Sequence, residues 1–236
     1  MKHAKPKTLP QQAKLSKTQL KVLFGIDVFQ AVAFLGGLLY LGFFVTDNIT
    51  KQPFYTTILR YFTTLGDFFM MLCCAFSAIC VLRVIRGKSE KISEVALTFR
   101  FVGVCAVTIT MLVVVFYLVP IEQDRNLLYG VNRIMHTGGP LLVIISHIVF
   151  RLSQSFRFRR ALLGMLPLCL YGVYYVGNIL INGFGEGPFT NDWYYFFNGS
   201  FEHLPIIAAI MIGLSFLISV ILWRAGRRKI KAQAKN

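Results

Sequence analysis

Cysteine is sparse in this 236-residue chain and missing from every stretch where it could staple a fold. The five present, Cys73, Cys74, Cys80, Cys105 and Cys169, all sit inside apolar runs. That placement excludes a disulfide framework, and no Cys-x-x-Cys spacing suggests zinc. They read as reduced packing residues. Acid is equally scarce: ten Asp and Glu stand against 25 Lys and Arg, and none precedes Asp27. No internal repeat is present, which leaves an inverted-repeat transporter without support. The first 20 residues lack the apolar core and small-residue site of a signal peptide, so the first apolar run is expected to anchor the chain itself.

What the chain has instead is hydrocarbon. Hydrophobic residues make up 56% of it, and the mean hydropathy is +0.61, far outside the soluble range. Crossing about 30 Å of hydrocarbon takes roughly 20 apolar residues in a helix. Six runs qualify: Val22–Val45, Leu59–Leu82, Val95–Val119, Ile134–Leu152, Ala161–Ile181 and Leu204–Trp223. They are too long and continuous for barrel strands. The expected fold class is therefore all-α, a polytopic six-transmembrane-helix bundle over residues 22–223, flanked by basic tails at 1–21 and 224–236.

The charges give an orientation. Lys and Arg gather in the N-terminal tail, after span two (Arg83, Arg86, Lys88, Lys91 and Arg100), after span four (Arg151, Arg157, Arg159 and Arg160) and in the C-terminal tail. These account for 21 of the 25 basic residues. The remaining loops hold Lys51, Arg60, Arg125 and Arg133 beside Asp47, Glu122, Asp124, Glu186, Asp192 and Glu202. The positive-inside rule then puts both termini in the cytoplasm of a cell-membrane protein. The net charge of +15 is accordingly topological. The tails can rest on anionic headgroups at about 1 kcal/mol per residue. Nucleic acid is not an expected partner, because short Lys/Arg strings supply no folded reading surface. Membrane lipids are.

Ionisable side chains inside spans are costly and are functional candidates by default. Here they are Asp27, Asp67, His136 and His147. Spans two and four run in the same direction, so Thr63 and Thr64 near the start of one share a depth with His136 near the start of the other. Asp67 follows Thr64 by three residues and Thr63 by four, on the same helix face. Asn178 and Asn182 from span five, and Glu202 and His203 before span six, belong to the same side. A hydroxyl, an imidazole and a carboxylate at one depth can act as nucleophile, base and orienter. The structural readings stand beside this one. The threonines can bond their own helix backbone. His136, ahead of Gly138, Gly139 and Pro140, can be a buried histidine at a kinked start. His147 can be a packing residue, and Asp67 can pair with Arg60 or Arg133. Trp193, Tyr194 and Tyr195 read as an outer aromatic belt. His136, His203 and Glu202 or Asp67 could hold zinc, although no close-spaced motif supports it.

Arg60-Tyr-Phe-Thr-Thr-Leu-Gly-Asp67 and Asn132-Arg-Ile-Met-His136-Thr-Gly-Gly-Pro140 resemble the two signature regions of the androgen-induced/ADTRP-type six-helix membrane proteins and of their bacterial six-span relatives. Tyr171-Gly-Val-Tyr-Tyr175 and Asn191-Asp-Trp-Tyr194 match the Tyr-rich span five and the Asp-Trp-Tyr of the bacterial members, and the resemblance covers roughly residues 22–223. Where those relatives carry Ser-Asn, this chain carries Gly66 and Asp67. The resemblance implies an intramembrane threonine hydrolase of fatty-acyl esters, without cofactor or metal. Its base falls on His136. Counting back from Asp67 places the nucleophile on Thr64, whereas the bacterial pattern places it on Thr63. Asp67 then supports the pair, and Asn178, Asn182 or a backbone N–H near Gly138 and Gly139 faces the oxyanion. A lipid or small-molecule binder or carrier that uses the same pocket without turnover is the competing class.

Overall fold

The computed structural model describes residues 12, 14–45, 57–121, 127–186 and 190–227, and among these no strand occurs. Most of both tails and the loop charges Asp47, Lys51, Glu122, Asp124 and Arg125 lie outside the described residues. Among the described residues, six long helical segments form one bundle. They are α1 (Lys17–Phe44), α2 (Phe62–Ile85), α3 (Glu94–Ile121), α4 (residues 130–149), α5 (Phe158–Asn182) and α6 (Phe201–Ala225). All but α4 are long and apolar enough to cross a membrane. In α4 the apolar run is diluted by Asn132, Arg133, His136, Thr137 and the glycines before Pro140.

The ends follow local chemistry. Helix α1 begins five residues before the expected Val22 because Ser16 and Gln19 form a capping box, satisfying two orphan N–H donors. Helix α2 begins three residues after the expected Leu59, behind the 3-10 turn Ile58–Arg60. Thr63 and Thr64 therefore sit in its first turn. Both α3 and α4 contain a π turn, Val114–Leu118 and Ile134–Gly138. Each ends immediately before the residue preceding a proline, Pro120 or Pro140, and that residue donates its N–H five positions back, Val119 to Val114 and Gly139 to Ile134. Proline has no N–H and its ring crowds the carbonyl four residues earlier, so the helix widens there.

Large apolar side chains point outward all round, with Phe43, Phe44, Phe116, Val173 and Ile181 each more than 70% exposed. Such a surface is stable against lipid and would associate in water. Inside, α1 packs chiefly on α2, and α2 on α3. Near one end the bundle is held by a buried polar knot. Arg100 donates from Nε (3.0 Å) and Nη2 (2.9 Å) to one Asp27 oxygen, and Ser77 donates to the other at 2.6 Å. Arg100 also reaches Ser146 Oγ at 2.7 Å. One knot thus ties α1, α2, α3 and α4. Arg100 is therefore not one of the loop charges with which it was grouped, but a fully buried residue of α3, inside the expected run Val95–Val119. At the same end His147 pairs with Ser153 at 2.7 Å, Trp223 donates to the Phe156 carbonyl and Gln12 to that of Ile92.

At the other end, the 190–200 segment folds inward. Trp193 and Tyr194 are buried, so these two rings are not a belt facing lipid. The Asp192 carboxylate accepts from the N–H groups of Phe196, Phe197 and Asn198 at 2.9–3.0 Å, and from the Tyr175 hydroxyl. Trp193 donates to the Tyr171 hydroxyl at 2.7 Å. An aromatic plug therefore closes this end over α5.

Candidate functional site

Counting from the Asp27 knot gives a common level for the candidate residues. Asp67 is ten residues before Ser77 on α2, Thr110 ten after Arg100 on α3, and His136 ten before Ser146 on α4. Each lies about 15 Å from the knot toward the plugged end. Gly37, ten residues after Asp27 on α1, marks the same level. Two close approaches fix the alignment: a Cβ on Gly37 would strike Met135, and one on Gly66 would lie 3.2 Å from Thr110 Oγ1.

This level holds unpaired polar atoms. Both Asp67 oxygens, Thr110 Oγ1 and His136 Nδ1 are buried without a hydrogen-bond partner among the described residues, as is Gln30 Oε1, which on α1 lies about 10 Å nearer the knot than Gly37. Gln30 reaches toward them, since its Nε2 donates to the Gly139 carbonyl at 2.8 Å. Three helices thus contribute unsatisfied groups to one layer, and α1 adds Gln30 between that layer and the knot. Each such group costs about 1–3 kcal/mol in a water-free interior, and native structures seldom keep them without a role.

The sequence candidates separate here. The Thr64 hydroxyl donates to the backbone carbonyls of Ile58 and Tyr61, the latter at 3.0 Å, as the structural reading expects of a threonine in a first turn. Thr63 lines a cavity whose wall also includes Tyr171 and Tyr194, and the Tyr194 hydroxyl is buried without a hydrogen-bond partner among the described residues. His136 is buried within the π turn, whose neighbours Met135 and Gly139 press on Gly37 and Phe34 of α1. No hydrogen bond joins Thr63, Thr64, Asp67 and His136 to one another among the described residues. Asp67 is not paired with Arg60 or Arg133. Asn178 and Asn182 bond each other at 3.0 Å at the exposed end of α5. His203 and Glu202 are exposed while His136 and Asp67 are buried, so the zinc set is not assembled, and no other metal-capable cluster occurs among the described residues.

The sequence does not single out Thr110, Gln30 or Arg100 as site residues. The signal for Thr110 was Gly66, whose missing side chain admits the α3 hydroxyl.

The cavity bordering this layer has a volume of about 610 Å³. Thr63 and Thr110 are on its wall, with Tyr171, Tyr175 and Tyr194 toward the plug. Its rim includes Val173, Leu180 and Ile212, each at least 50% exposed on the lipid-facing surface. The cavity is therefore an apolar recess reached from the side, with two hydroxyls at its inner wall.

The buried Asp67 carboxyl carries a stability prediction. Asp67→Leu removes two unsatisfied acceptors and should leave the thermal midpoint unchanged or raise it, by an amount equivalent to about 1–3 kcal/mol. Thermal unfolding in detergent measures it, and a fall in the midpoint would mean that the carboxyl has a partner.

Comparison with family models, with curated proteins and with solved structures returned no match to this chain.

Proposed function

We propose that this chain is a six-span protein of the cell membrane, with both termini cytoplasmic, that takes an acyl lipid from the bilayer into the recess between α2, α3, α5 and α6. The observation that carries this reading is the recess itself: apolar, opening among lipid-exposed side chains, and bordered by Thr63 and the unpaired hydroxyl of Thr110. Chain carbons would lie against Leu168, Val176 and Ile207, and an oxygen-bearing group would meet the hydroxyls. The alternation of basic loops supports the orientation. A photoactivatable long-chain ester should label the α5 and α6 peptides. Gly172→Leu and Gly177→Leu should suppress that labelling without unfolding, because both glycines line the recess and a Cβ there meets nothing within 4 Å. Unchanged labelling in both variants would refute lateral entry.

The second reading is turnover, as the resemblance to the androgen-induced/ADTRP-type proteins implies. It is favoured by His136, whose Nδ1 is buried and unpaired at the level of Thr110. A threonine hydroxyl would attack the ester carbonyl while His136 takes its proton and returns it to the leaving alcohol. Water would then release the acid. The Thr64 hydroxyl is committed to two carbonyls, so Thr63 is the better placed nucleophile. Asp67 would act only by tuning the layer. His136→Ala and Thr63→Ala should each cut hydrolysis of a long-chain ester by about 100-fold or more, and the double variant should be no worse than either. Thr63→Ser should keep partial activity, and Thr64→Ala should change activity little. Full hydrolysis in both Ala variants would leave binding without turnover.

A further inference from the structure

The end of the bundle opposite the polar layer carries a second opening, of about 1130 Å³, between the start of α1, the α2–α3 turn and the start of α5. Its rim is basic. Lys14, Lys91, Arg157 and Arg159 line it, all are exposed, and none has a carboxylate partner among the described residues. Of the two acids among the described rim residues, Glu94 is committed to Arg160 and Ser155, which leaves Glu90 against these four cations. The floor is carbon, formed by Leu15, Val84, Ile92 and Leu163. Four unpaired cations over an apolar floor suit an anionic group that carries hydrocarbon.

The openings adjoin one another. Leu163 borders this basic pocket and also an apolar groove of about 520 Å³ along α2, α3 and α5. Phe62 and Tyr171 border that groove and the recess holding Thr63. Apolar walls therefore run from the basic rim to the polar layer along one side of the bundle.

We propose that Lys14, Lys91, Arg157 and Arg159 form the headgroup site of an anionic phospholipid whose chain passes Leu163 into the groove. The chain's path rests on the acyl-lipid reading above, whereas the headgroup site can be tested by itself. The cations supply charge-assisted hydrogen bonds to phosphate oxygens, and the floor supplies contact that a soluble phosphate could not use.

The full chain in neutral detergent is titrated with phosphatidylglycerol, phosphatidylcholine and glycerol 3-phosphate, and bound lipid is counted by native mass spectrometry. Phosphatidylglycerol should bind preferentially, and glycerol 3-phosphate should not displace it at equal concentration. The triple variant Lys91→Gln, Arg157→Gln, Arg159→Gln should reduce the preference by about tenfold or more. A charge-matched triple on the same face, Arg83→Gln, Arg86→Gln, Lys88→Gln, should reduce it less than about twofold, because these exposed residues do not line the pocket. Equal losses in the two triples would show face charge alone and overturn the site. Displacement by glycerol 3-phosphate would assign it to a soluble phosphate and overturn the lipid. Gly172→Leu should leave the preference intact, so a failure of acyl entry and a failure of this site are read separately.

Discussion

Arg100→Leu should destabilise the protein by about 3–5 kcal/mol, because it leaves the Asp27 carboxylate buried without its counter-charge. Both side chains are fully buried, and Asp27 would retain only the Ser77 hydroxyl. Water cannot rescue the charge inside an apolar bundle, and a charged group at membrane depth is expensive. The double variant Asp27→Leu with Arg100→Leu should recover most of the loss, since a buried pair replaced by hydrocarbon is often neutral or stabilising. The interaction energy of that double-mutant cycle would then be large and of opposite sign to the single losses. Thermal or urea unfolding in detergent, followed by circular dichroism, measures all four corners. A single variant as stable as the parent would mean that the knot does not hold α1 to α3.

Gly139→Ala should be the most damaging small change near the candidate layer. An added Cβ would lie 2.9 Å from the Ile134 carbonyl oxygen and 2.9 Å from Phe34 Cζ. The first of these is backbone within the same π turn, and Phe34 is fully buried in α1, so neither can give way cheaply. Overpacking of this kind costs about 1–3 kcal/mol. The strain would fall on the π turn that carries His136 and on the Gln30 bond to Gly139. Gly172→Ala is the matched control, with open space around its Cβ, and should be close to neutral. Equal midpoints for the two variants would show that α1 and α4 do not approach closely here.

Much of the bundle was legible in the chain. Apolar runs mark helices because a backbone in lipid must satisfy its hydrogen bonds within one segment. Five of the six expected runs overlie helices long and apolar enough to cross. The boundaries moved where local chemistry intervened, at the Ser16–Gln19 box and at the 3-10 turn ahead of Phe62. The two π turns were implicit in Pro120 and Pro140, but their widened geometry also needs the preceding residues to bond five positions back.

The candidate site was legible in part. Residue type and span position drew attention to Asp67, His136, Thr63 and Thr64. The direction of each hydroxyl was not readable, because adjacent residues on a helix point about 100° apart and packing chooses between them. The structure turns Thr63 to the recess and commits Thr64 to backbone carbonyls. Gln30 and Thr110 drew no notice because their meaning comes from neighbours on other helices.

The all-helical fold, the approximate helix ends and the separation of basic from other loops can be read from the chain. These follow from interactions within one segment or between a segment and its solvent. The rest depends on contacts between helices. Arg100 became a core residue because Asp27, 73 positions away, lies opposite it. Trp193 turned inward because Tyr171 and Tyr175 receive it and Asp192 gathers three N–H groups. The unpaired layer of Asp67, Thr110 and His136, with Gln30 between it and the knot, exists only where four helices meet. Pairings between distant residues depend on which faces meet, and no local periodicity encodes that.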